Sequence, residues 1–257
     1  MKQYFITGTD TEVGKTYVTC QLLQAAQKSS LSAFGYKPIA AGCEQINGEW
    51  VNEDALNIQK ACSKIRANKA IKITDNNELK SANENNEESG QTLPLHQINP
   101  IALKPAIAPH IAALEEGVAL TFDEIAKGLD ELHAYQPDLL LMEGAGGWRL
   151  PLTVGDEYTP TYYLSDVVKT LKMDVILVVG MRLGCLNHAL LTAEAIARDG
   201  LALAGWVANT GAEEMPCYEE NLVSLKSMLS APLLGVLPWC EGEFDSQQMF
   251  DELLLAL

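Results

Sequence analysis

Apolar stretches of strand length recur along the chain, and most lead into a pattern of helical period. QYFIT precedes 14–28, DLLLM follows 121–135, DVILVV precedes 186–198, LALAGWVAN precedes 217–229 and APLLGVL precedes 245–256. Strands alternating with helices require right-handed crossovers and predict a mostly parallel sheet. Strands covered on both faces read as continuous apolar runs, as DVILVVG and DLLLME do. In TFDEIAKGLDELHAY, Phe122, Ile125, Ala126, Leu129 and Leu132 share one helical face, with Thr121 and Glu124 placed as a capping box. The pattern predicts a single α/β domain over 1–257 with a roughly seven-stranded sheet. Residues 74–92 break the rhythm: rich in acidic and amide side chains and almost without apolar ones, they predict a mobile polar insertion.

Composition narrows the partners. A net charge of −16 argues against nucleic acid, whose binders present a basic face. No apolar run approaches ~18 residues and the start MKQYFITG has no signal-peptide pattern, so the expectation is a cytoplasmic protein with no membrane partner. The six cysteines include no C-x-x-C pair, which suits a reducing compartment and small core-filling thiols.

The first candidate chemistry lies in FITGTDTEVGKTYVTC. It has the context of a phosphate-binding loop, a short strand before and a helix opening at Gly14-Lys15-Thr16. Its spacing is one residue too long, since Thr9, Asp10, Thr11, Glu12 and Val13 separate Gly8 from Gly14. Backbone N–H groups at a helix N-terminus bind phosphate, Lys15 would reach the β- and γ-phosphates, and the Thr16 hydroxyl would ligate Mg²⁺. A nucleotide-gated dimerisation switch, the rival reading, often carries an additional early lysine in a deviant loop; Asp10 stands at that position here.

Other residues admit two readings each. Lys37 closes LSAFGYK before Pro38 and is either a solvated surface lysine or a fixed cation at a carboxyl strand end, where ligands bind in open α/β sheets. Asp54, opening NEDALNIQKA, either complements a helix N-terminus or ligates a cation. Glu143 ends an apolar run before Gly144-Ala145-Gly146-Gly147, and an acid there is costly unless paired or metal-bound. GAGGW offers N–H groups a ligand can approach, or a tight turn. GMRLGCLNHALLT opens a helix suited to a carboxylate; Cys185 there lacks the setting of a nucleophile, and His188 either assists binding or merely starts the helix. Asn209, at the end of LAGWVAN, presents the donor and acceptor an adenine edge needs, while Pro238 and Trp239 line a nucleotide loop or pack in the core. His96, His110 and His133 have no metal-site spacing.

Taken in order, GTDTEVGKT, GYKPIAAG, NEDA, APHIAA, MEGAGGW, LGCLNHALLT and WVANT resemble dethiobiotin synthetase over most of 1–240, with 63–98 the departure. The resemblance implies a P-loop NTPase-like three-layer sandwich that uses ATP as co-substrate with Mg²⁺ to join CO₂ to 7,8-diaminononanoate and close the ureido ring. It implies that Thr11, Glu12, Val13, Gly14, Lys15, Thr16, Tyr17, Asn209 and Pro238 bind the nucleotide, that Thr16, Asp54 and Glu143 hold the metal, and that Lys37 and Lys15 are catalytic. The diamine would meet Thr11, Lys37, Gly144, Ala145, Gly146 and Gly147. Its carboxylate tail would meet Gly184, Cys185, Leu186 and Asn187 of a second subunit, so a homodimer is implied. Ala41 stands where the family often has Ser or Thr, a loss of one hydroxyl contact worth about 1 kcal/mol.

Overall fold

A computed structural model describes residues 1–65, 90–211 and 215–239, together with 251 and 253. Most of the polar stretch 74–92 and of the helix expected over 245–256 lie outside the described residues. In chain order the elements are β1 (Lys2–Gly8), α1 (Lys15–Lys28), β2 (Ala33–Tyr36), β3 (Ile39–Ala41), β4 (Glu44–Ile46), β5 (Glu49–Val51) and α2 (Glu53–Ala61). There follow α3 (Leu95–Ile98), β6 (Ile101–Leu103), α4 (Pro109–Glu116), α5 (Phe122–His133), β7 (Leu139–Gly147), β8 (Pro151–Thr153), β9 (Tyr162–Tyr163) and α6 (Leu164–Leu171). The last are β10 (Asp174–Met181), α7 (Cys185–Arg198), β11 (Leu203–Thr210), α8 (Tyr218–Met228) and β12 (Leu233–Leu237).

Six strands form one parallel sheet in the order β12-β11-β10-β1-β7-β2. Helices cover both faces. Along β10, Ile176 and Val178 join one apolar cluster with Leu22 of α1, whereas Leu177, Val179 and Met181 join another with Ala189 of α7 and Leu225 of α8. This alternation is what a strand buried on both sides requires, and it explains why the run DVILVV carries no polar residue after its first. The expected seventh strand is absent among the described residues. After β2 the Lys37 amide donates to Ile98 O (2.8 Å), and Pro38 has no amide to offer a ladder, so the chain leaves the sheet and β3 pairs with β6 in a separate two-stranded ladder.

The strand order places the site. From β1 the chain crosses to β2 at one edge and returns to β7, while β10, β11 and β12 build outwards on the other side. Strand order therefore reverses about β1, and a crevice opens beyond the carboxyl ends of β1 and its neighbours. Among the described residues no helix is long and apolar enough to cross a membrane.

Helix α5 forms as its pattern predicts. Thr121 caps it, accepting from Glu124 N (3.3 Å) and donating to Glu124 Oε2 (3.1 Å), and Ile125, Leu129 and Leu132 are buried. Gly128 also lies on the buried face, because Tyr36 needs the space: its hydroxyl donates to Ile125 O (2.8 Å), and a Cβ at 128 would meet that oxygen at 2.4 Å. An exposed helical Gly→Ala change stabilises by up to ~1 kcal/mol, but overpacking costs ~1–3 kcal/mol. Gly128→Ala is therefore expected to lower stability by about 1–2 kcal/mol in urea titrations; a gain would show that Tyr36 does not occupy this face.

Candidate functional site

The loop after β1 accommodates its additional residue through two glycines and one strained position. Val13 is buried, its methyls filling space that Cβ atoms on Gly8 and Gly180 would take, at 2.5 and 2.8 Å. Glu12 beside it adopts a left-handed backbone (φ 58°), uncommon for a residue with a Cβ. Gly14, also left-handed (φ 84°), caps α1, and a Cβ there would meet Asn209 Nδ2 at 2.1 Å. Asn209 donates from that nitrogen to Val13 O (2.9 Å), so the side chain expected at an adenine edge also holds the phosphate loop. Thr9 N bonds Val178 O (3.0 Å), tying the loop to β10. Asp10 accepts from Thr11 N (2.8 Å) and pairs with Arg182, which gives this acid a structural part in the loop.

Lys15 and Thr16 open α1 on the cleft. The Lys15 ammonium donates to Asp10 O (2.9 Å) and is only 7% exposed. Burial pushes its pKa down to about 8, outweighing the pull of Glu143. Thr16 donates to Glu143 Oε1 (2.7 Å) and Thr19, one helical turn on, lies 2.7 Å from Oε2. Glu143 is fully buried, at the point where β7 turns into its glycines.

Lys37 completes the cluster and is no surface lysine. At 4% exposure its ammonium bridges Glu143 Oε1 (2.6 Å) and Asp54 Oδ2 (2.9 Å). Burial opposes its charge, yet the two carboxylates hold its pKa above the ordinary lysine range. Asp54 is half-exposed; burial opposes its ionisation, but the Lys37 ammonium beside it holds its carboxyl below the usual range. Asp54 also lies in the first turn of α2, as its helix-terminus reading expects. Asn52 fixes that helix start, accepting from Ala55 N (3.3 Å) and donating to Ala41 O (3.2 Å). The Ala41 side chain thus adds no polar group, while its carbonyl anchors the turn that presents Asp54.

Beside this cluster lies a cleft of about 1160 Å³, which Val13, Glu143, Gly144, Gly147 and Asn209 do not line. Thr11, Glu12, Gly14, Lys15, Thr16 and Tyr17 line one side, with Lys37, Asp54, Ala145 and Gly146 beyond, and Ala40, Ala41, Ala106, Ile107 and Leu150 add apolar wall. Thr16, Asp54 and Glu143 bring hard oxygen atoms together beside the Lys37 ammonium, and donors of that type suit Mg²⁺. Among the described residues no group of three His, Cys, Asp or Glu offers a rival metal site.

Other expected site residues lie apart from this cleft. Gly184, Cys185, Leu186 and Asn187 form the start of α7 and do not line it; Gly184 is left-handed (φ 97°) and Asn187 is exposed. Cys185 is buried and burial raises its thiol pKa, in keeping with a packing role. Cys43 and Cys62 are buried as well, but Cys217 is exposed. Pro238 and Trp239 are exposed after β12, which removes the core-packing reading for both, and 240–242 lie outside the described residues. Thr19 is the site residue that motif reading missed; its place four residues after Lys15 on α1 was the available signal.

The chain matches the model of a family described as an AAA domain over residues 2–242. It is 67% identical over 242 residues to the ATP-dependent dethiobiotin synthetase BioD of Alteromonas mediterranea, covering 94% of each chain. Proteins of the same name from Aromatoleum aromaticum and Cellvibrio japonicus are 44% and 45% identical, over 96% and 92% of this chain and 94% and 89% of theirs. By these matches the chain belongs to that AAA-domain family and to the family of ATP-dependent dethiobiotin synthetases.

Proposed function

We propose that this chain carboxylates 7,8-diaminononanoate (7,8-diaminopelargonate) with CO₂ and closes the ureido ring at the expense of ATP, giving dethiobiotin, ADP and phosphate. The observation that carries this reading is the buried Lys37 ammonium between two carboxylates, at the open end of a phosphate loop that supplies Lys15 and Thr16. The nucleotide-gated switch would carry its second lysine early in the phosphate loop, where Asp10 stands, and would not need Lys37 as a substrate group.

One amine adds to CO₂ and loses a proton, giving a carbamate. A carbamate oxygen attacks the γ-phosphorus and ADP leaves; the second amine then attacks the carbonyl of the mixed anhydride, expelling phosphate and losing its proton. Lys37 offers a cation to the carbamate and to the transferring phosphoryl oxygens, and Lys15 to the β/γ bridge; such preorganised charge is worth several kcal/mol in a site that excludes water. Thr11 and the backbone from Glu12 to Tyr17 cradle the phosphates, while Asn209 and Pro238 hold the base. Gly144, Ala145, Gly146 and Gly147 lie over the diamine, whose methylenes suit the apolar wall at Ala41 and Ile107. Mg²⁺, when bound to Thr16, Asp54 and Glu143, would neutralise phosphate charge. Reaction steps that need positioning and charge more than proton transfer match a cleft with no histidine among the described residues that line it.

The position of Gly184, Cys185, Leu186 and Asn187 outside their own cleft supports a twofold homodimer in which each chain receives these residues from its partner. Leu183, just before α7 (94% exposed), and Leu191, in its second turn (56%), flank them, and association would cover both. A cytoplasmic location fits this chemistry.

ATP turnover should require diamine and bicarbonate, and Lys37→Ala should lower kcat on the order of 10²-fold in a phosphate-release assay. Robust diamine-independent turnover would sink the synthetase reading, and an effect on KM alone would reduce Lys37 to ground-state binding.

Co-refolding Lys15→Ala with Asn187→Ala chains should restore roughly a quarter of wild-type activity, because half the dimers are mixed and each has one intact site. No recovery, with mixed dimers detected by mass spectrometry, would place each site within one chain.

Because the free Lys15 ammonium titrates near pH 8, and phosphates will raise its pKa, nucleotide binding should take up a proton between about pH 8 and 10 and little at pH 7. Calorimetry of ADP binding in buffers of different ionisation enthalpy reads this directly. Equal uptake by a Lys15→Met variant would assign the proton elsewhere.

A further inference from the structure

Two surplus residues in β7 make the bend over the cleft. In the β1–β7 ladder Ile6 faces Glu143 and Gly8 faces Gly147, so Gly144, Ala145 and Gly146 stand opposite Thr7 alone. The excursion brings Ala145 and Gly146 to the cleft wall. Its shape depends on where its two ends are held. Glu143 holds the first end through Thr16, Thr19 and Lys37.

Trp148 and Arg149 hold the second end, and both converge on Asp199. The Trp148 ring is buried, edge-on to Phe5 (centroids 5.9 Å apart), and its Nε1 donates to Asp199 Oδ2 (2.8 Å). Arg149 meets the same carboxylate with both terminal nitrogens, Nη1 to Oδ2 (2.7 Å) and Nη2 to Oδ1 (2.9 Å), and Nη1 also donates to Ser165 Oγ (3.0 Å). A bidentate guanidinium–carboxylate pair fixes orientation as well as distance. The Asp199 side chain is 7% exposed, with Lys169 Nζ 3.9 Å away. It sits at the C-terminal cap of α7, where the helix dipole disfavours a carboxylate. The acid is held there by the residues it clamps, and nothing in α7 itself calls for it.

We propose that Asp199 is a positioning residue for the diamine: by clamping Trp148 and Arg149 it fixes the downstream end of the Gly144–Gly147 bend, and with it the backbone that lies over the substrate. The role rests on reading that bend as the diamine contact. Asp199, Trp148 and Arg149 do not line the cleft, so the loss of Asp199 acts through the bend and spares the phosphate loop.

The test compares Asp199→Ala, Asp199→Asn, Arg149→Met and the Asp199→Ala/Arg149→Met double variant with wild type, reading diamine KM, kcat and ADP affinity. Asp199→Ala should raise the diamine KM on the order of tenfold with ADP affinity within about twofold of wild type. Asp199→Asn, which keeps an acceptor for Trp148, should have a smaller effect in the same direction. The double variant should be no worse than the poorer single one, since both remove one clamp. Unchanged diamine KM, or diamine and ADP affinities falling together, overturns the positioning role. If Asp199→Ala does not fold, Asp199→Asn and Arg149→Met separate the same outcomes: a raised diamine KM with ADP affinity kept supports the role, and any other pattern overturns it. Wild-type protein without diamine-dependent turnover overturns the functional reading instead, so the two failures are told apart.

Discussion

A carboxylate with no exposed surface is the constraint around which this site is arranged. An ionised Glu143 left unpaired would cost several kcal/mol, and the fold answers with hydroxyls from α1 and an ammonium from the residue after β2. Each partner arrives from an element that the constraint also fixes. Thr16 and Thr19 set the rotation of α1, so Lys15 opens on the cleft; Lys37 must project inward, so the chain leaves the sheet at Pro38; Asp54 must approach Lys37, so α2 begins where Asn52 caps it. The phosphate loop, the lysine and the acids therefore form one electrostatic unit. Replacing Glu143 would disturb all of it at once.

How much of this the sequence disclosed depends on the range of each interaction. Elements whose information is local were legible: α5, with its cap and its apolar face, and the apolar runs of β7 and β10. The strand count was less so, because apolar runs do not say which segments pair, and Ile39–Ala41 pairs with β6 outside the main sheet. Lys37, ambiguous as a letter, became unambiguous when Glu143, more than a hundred residues away, was found beside it. Arg182 and Asp199 gave no signal, because their partners, Asp10 and Arg149, lie far along the chain.

The one-residue excess in the phosphate loop has a physical explanation that spacing alone does not reveal. Val13 needs a place to be buried, and Gly8 and Gly180 provide it by lacking side chains; Glu12 then takes up the backbone strain, and Asn209 donates to Val13 O. The loop, the end of β10 and the end of β11 are thereby interdependent. Asn209 holds the loop after β1, and on the proposed reading it would also meet the base, so nucleotide seating and loop shape would draw on the same side chain.

Helix α7 has consequences at both ends. Its start carries Gly184 to Asn187, which lie outside the cleft, and its cap carries Asp199, which grips the segment after the glycine bend of β7. Fourteen residues at 1.5 Å each span about 21 Å, and the helix packs against β10, β11 and α8. On the proposed homodimer reading, α7 would bear on the bend beside its own chain's cleft through Asp199 and on the partner's cleft through Asn187. The proposed dimer would then make the geometry of either cleft depend on both chains.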